Sequence, residues 1–111
     1  MDLYNELENK IQELEISIRS LRKTGNNYAE AERDYKILLR KEVLKLRDEG
    51  QAIGVITLTC YGIPSVAEAR FKRDVAETIY KANLEAINSI KLQLRLLESQ
   101  IQREYGSQVS Q

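Results

Sequence analysis

Two apolar ladders at opposite ends of this chain match each other rung for rung in reverse order. Tyr4, Leu7, Ile11, Leu14, Ile18 and Leu21 recur at alternating spacings of three and four, and Ile87, Ile90, Leu94, Leu97 and Ile101 do the same, with Tyr105 close behind. That spacing draws one apolar stripe along a helix, as at a coiled-coil seam. Pairing Leu7 with Tyr105, Ile11 with Ile101, Leu14 with Leu97, Ile18 with Leu94 and Leu21 with Ile90 gives position numbers that sum to 111 or 112. A constant sum is the condition for two helices packed antiparallel. The expected fold is therefore all-α, a long antiparallel helical hairpin built as a coiled coil.

The boundaries follow from local signals. Asp2 is a fitting N-cap for a helix over 2–48, and Thr24-Gly25-Asn26-Asn27 interrupts its pattern. Asn27 with Glu30 resembles a capping box, which would end one helix at Gly25 and fold the chain into a three-helix bundle. Ser65 with Glu68 is a second capping box and opens a helix over 65–105, with nothing to break it before Gly106. That helix has about 40 residues and a length of ~60 Å. Two short helices would leave half of its stripe bare, so one long helix with a kink near Gly25 is the favoured reading. The pairing also continues past the kink, with Gly25 facing Ile87, Tyr28 facing Leu84, Ala31 facing Tyr80, Tyr35 facing Ala76, Val43 facing Ala69 and Leu46 facing Val66.

Between the helices lies an apolar linker, 49–64, in which Gly50 is placed to end the first helix. Its middle, Val55-Ile56-Thr57-Leu58-Thr59-Cys60-Tyr61, is rich in β-branched residues and reads as a strand or packed loop at the tip. A two-helix hairpin has no interior to hide such a run. Val55, Ile56, Leu58 and Tyr61 are therefore the expected interface of a homo-oligomer. The segment 106–111 is small and polar and reads as a frayed tail.

Composition narrows the chemistry. The chain has 111 residues, enough for a single helical domain over 1–111, and it contains no histidine and one cysteine, Cys60. The commonest acid–base residue and metal ligand is thus missing, and a nucleophilic cysteine would lack its usual base. The expectation is a protein that is not an enzyme and needs no cofactor or metal. No apolar run approaches the ~20 residues of a membrane helix, and the acidic start is unlike a secretory signal. No membrane partner and a cytoplasmic location are expected.

Lysine plus arginine equals aspartate plus glutamate, 17 each, so any electrostatic function depends on local segregation. One segregation stands out. Lys36, Arg40, Lys41, Lys45 and Arg47 have only Glu42 among them, and Arg70, Lys72 and Arg73 lie opposite across the hairpin. Such a patch can neutralise phosphates of a nucleic acid, and Tyr35, Tyr61 and Phe71 lie close enough in sequence to stack on bases. The alternative is a solvated face paired with Asp34, Asp48, Asp74 and Glu77. Asn83, a polar residue on the seam, reads as a register-fixing asparagine.

The segment Tyr28–Gly50 with its basic run, and Val66–Gly106 with Asp74, Tyr80 and Ile101-Gln102, are similar in helix order and charge placement to small helical accessory proteins of tailed phages, and resemble most the UvsY-type recombination mediators. That resemblance implies an oligomeric helical protein of the host cytoplasm that binds single-stranded DNA and works with a recombinase. The competing expectation is a structural, adaptor or inhibitor coiled coil that binds a partner protein.

Overall fold

The computed structural model describes residues 2–109, with side chains described through residue 106. It is all-helical among the described residues: α1 spans Leu3–Asp48, α2 spans Ile53–Thr59 and continues into a single 3-10 turn, Cys60–Gly62, and α3 spans Pro64–Val109. No helix is long and apolar enough to cross a membrane among the described residues. The chain divides into two compact units, one of Met1–Lys23 with Lys81–Gln111 and one of Thr24–Tyr80.

In the first unit, the start of α1 packs on the end of α3. Asp2 caps α1 as expected, its carboxylate accepting the N–H of Tyr4 at 3.0 Å and its carbonyl that of Glu6 at 3.2 Å. Ile87 and Ile90 are the buried residues. On α1 the half-buried residues are Leu3, Leu7, Lys10, Leu14, Ser17 and Leu21, spaced alternately four and three apart, with Glu6 beside Leu7. The ladder read from sequence shares Leu7, Leu14 and Leu21 with this set. Tyr4, Ile11 and Ile18 lie on the solvent side, at 49%, 41% and 49% exposure. The reason is visible opposite: Asn83 donates from Nδ2 to the Ser17 carbonyl at 3.0 Å, which holds the Ser17 side of α1 against α3. Tyr105 meets the ring of Tyr4 edge-on at 5.7 Å, one turn from Leu7.

In the second unit, helical structure passes through Gly25 unbroken, so the chain does not end a helix there and fold into a three-helix bundle. What Gly25 provides is room. A Cβ at this position would lie 3.3 Å from Cε1 of Tyr80, and Tyr80 also packs against Tyr28 at 5.9 Å between ring centroids. Tyr80 thus meets residues one and two turns before Ala31, the partner expected for it.

α1 ends in a Schellman motif. Gly50 adopts φ +82°, its N–H reaches the Arg47 carbonyl at 3.0 Å, and Gln51 N–H reaches the Leu46 carbonyl at 3.1 Å. The following run is a helix and not the strand or loop expected from its β-branched residues. A lone strand has nothing to pair with at the end of two helices, whereas a helical turn satisfies its own backbone groups. Thr57 and Thr59 add hydroxyl bonds to the carbonyls of Ile53 and Val55, at 3.0 and 2.8 Å. Helical spacing brings Ile56 and Cys60, four apart, to one face. Both are buried, at 5% and 4% exposure, together with Val66 and Tyr35.

α3 begins one residue before the expected Ser65 cap. Pro64 is the first helical residue, and the Ile63 carbonyl accepts the Ala67 N–H at 2.9 Å. Proline lacks an N–H and its fixed φ suits the first turn, so it takes the position. At the other end, α3 continues past Gly106 to Val109, so the tail is not cut off at that glycine. The last two positions of the expected tail, 110–111, lie outside the described residues.

Candidate nucleic-acid interface

The eight expected basic residues all belong to the second unit, where the helices sort them into different environments. Lys36 pairs with Glu32 at 3.2 Å, one turn earlier on α1. Arg73 is drawn inward. Its guanidinium lies 4.6 Å above the Tyr35 ring, with Nη2 2.9 Å from Asp74 and Nη1 3.5 Å from Glu32. Burial works to lower its pKa, and the hydrogen bond to Asp74 with the charges of Asp74 and Glu32 outweighs it and pushes the pKa up. With its side chain only 20% exposed, Arg73 is a packing cation. Lys72 lies apart, in a groove it shares with Glu30, Asp34 and Glu68.

Four more are available on α1. Arg40, Lys41 and Lys45 line one open face of that helix together with Ile37, Leu44, Asp48 and Glu49. Helical spacing places them so, because residues three and four apart share a face. Arg47 lines a second recess, between the end of α1 and α2, with Leu39, Val43, Ile53, Thr57 and Tyr61. Among the described residues, none of these four cations takes part in an ion pair. The eighth, Arg70, reaches over from α3, its guanidinium 5.3 Å from the centre of the Tyr61 ring.

The three aromatic residues also separate. Tyr35 is buried beneath Arg73 and has no face for a ligand. Phe71 is exposed and lines a groove with Thr24, Asn27, Lys72 and Val75, to which Arg40, Lys41, Lys45 and Arg47 do not contribute. Tyr61 shares its recess with Arg47 and is 45% exposed.

The four residues of the expected oligomer interface divide in the same way. Ile56 is buried within its own chain, where α2 lies beside Leu39 and Val43 of α1, and is closed to another copy. Val55, Leu58 and Tyr61 remain exposed, Leu58 at 84%. Ile53, outside the expected set, is also exposed at the start of α2. Ile37 and Leu44, also missed, sit among the free cations, and their spacing of three and four from Arg40 and Lys41 was readable in the sequence. Among the described residues, no group of three or more acidic or sulfur ligands is placed to hold a metal ion. No family model, no curated protein and no solved structure matches this chain.

Proposed function

We propose that this chain is a non-catalytic accessory protein that binds single-stranded nucleic acid through the basic surface of its second unit. The observation that carries the reading is the set Arg40, Lys41, Lys45 and Arg47, on the last turns of α1 and engaged in no ion pair among the described residues. Cations left without carboxylate partners are free to displace the counterions of a phosphate chain. Arg70 extends the set from α3 through its contact with Tyr61. The resemblance to phage recombination mediators agrees with this use, as part of DNA recombination or replication in the host cytoplasm, beside a recombinase. Self-association through the exposed Val55 and Leu58 would gather several such surfaces and raise affinity by avidity.

Fluorescence anisotropy with a labelled single strand at low salt tests the reading. Affinity is expected to fall by about 0.7 log units per log unit of salt for each phosphate contacted. Arg40→Glu with Lys41→Glu is expected to abolish binding while helicity stays intact, because both residues are exposed. Arg73 is unsuited to this test, since its guanidinium is part of the packing.

A second reading draws on the apolar residues among the cations. Ile37 and Leu44 line the same face as Arg40, Lys41 and Lys45, so that face also fits an acidic, amphipathic segment of a partner protein. A flat titration for both wild type and variant selects this adaptor role.

A further inference from the structure

We propose that Tyr61, with Arg47 and Arg70 beside it, seats one unstacked nucleobase, so that binding depends on bases as well as phosphates. The inference rests on the single-strand reading above and adds a ligand subsite to it. Tyr61 is the point at which three otherwise separate features meet. Its ring lies under the Arg70 guanidinium at 5.3 Å, it is 45% exposed, and it lines the recess whose other walls include Leu39, Val43, Ile53 and the free cation Arg47.

Together these features define what fits. The Arg70 contact occupies one face of the ring and orients it, so little freedom is lost when a ligand takes the other face. The aliphatic walls favour a flat, weakly hydrated group over a strongly hydrated one. Arg47 and Arg70 supply positive charge near the ring, which suits a base whose backbone carries phosphates. The Thr57 hydroxyl, already donating to the Ile53 carbonyl at 3.0 Å, keeps its oxygen as an acceptor in the recess wall. A paired base in a duplex has both faces covered and cannot enter, whereas a single strand offers a π-face at every position. The seat therefore selects single strands over duplex with little regard to sequence.

The test compares an oligothymidylate with an abasic strand of the same length and the same number of phosphates, both titrated against the full chain at one low salt concentration. Wild type is expected to bind the abasic strand about 5- to 150-fold more weakly, the range for one stacked base. Tyr61→Ala is expected to remove most of that difference by weakening only the oligothymidylate. Tyr61→Phe, which keeps the ring, is expected to preserve it and guards against a folding defect in the alanine variant. Equal binding of both strands by wild type overturns the base seat and leaves the phosphate reading standing. A difference that survives in Tyr61→Ala, with helicity unchanged, also overturns it. Binding of neither strand rejects the nucleic-acid function itself, and the seat with it.

Discussion

Arg73 holds its guanidinium 4.6 Å above the ring of Tyr35, and the two residues share the packed centre of the second unit. Tyr35 is buried, and the charge above it is further fixed by Asp74 and Glu32. One of the eight cations that looked alike in sequence is thus committed to structure. Removing it is expected to cost stability and to leave phosphate contacts largely in place. Arg73→Ala should lower unfolding free energy by about 1–2 kcal/mol, the range for a desolvated cation–π contact, read from urea melts. An unchanged midpoint with weakened strand binding would place Arg73 at the interface after all.

Asn83 and Ser17 make the corresponding link in the first unit. Asn83→Ala should destabilise by about 1 kcal/mol, the net worth of one hydrogen bond in a partly buried setting. The more informative readout is register. With cysteines introduced at Tyr4 and Tyr105 in a Cys60→Ser background, the wild-type seam should cross-link within one chain, and Asn83→Ala should broaden the set of pairs that do so.

Two glycines separated by a few residues should respond in opposite directions. Gly50 has φ +82°, and a Cβ added there would meet nothing within 4 Å, so Gly50→Ala suffers only from the left-handed backbone, at about 1–2 kcal/mol. Gly54 lies in α2 with right-handed backbone and open space around it, so Gly54→Ala should stabilise by up to about 1 kcal/mol. Thermal melts of the two variants decide the signs.

Hydrogen bonding with Tyr105, followed by loss of hydration and the negative charges nearby, pushes the Tyr4 phenol above its ordinary pKa of 10.0. A raised phenol pKa in the folded state favours the neutral form. The contribution is therefore complete below the unfolded pKa and is lost as pH rises through the folded one. Ultraviolet titration should show Tyr4 ionising late, and Tyr105→Phe should bring that step down. Identical titration curves would mean that the two rings do not share a hydrogen bond in solution.

Much of this architecture was legible because it depends on local or periodic features. Helix polarity follows from the reversed ladders, the Asp2 cap from one side chain and the next backbone N–H groups, and the Gly50 stop from a residue that tolerates positive φ. The charge run on α1 was equally visible. Its division was not, since which cation finds Glu32, Asp74 or Tyr35 depends on how α3 lies against α1 within the unit.

Spacing and capping act within a few residues, and they suffice to make the two long segments helical, to set them antiparallel and to mark the Asp2 start and the Gly50 stop of α1. Three outcomes needed contacts between distant segments. Lys10 and Ser17 joined the seam in place of Ile11 and Ile18, since both sets flank the same leucines and only the Asn83 contact distinguishes them. A β-branched run became α2, because it has no strand to pair with there and a helix satisfies its own backbone groups, with Ile56 buried on one side. Arg47 and Tyr61 came to share one recess while Arg73 was taken into the packing, a separation set by the approach of elements far apart in the chain.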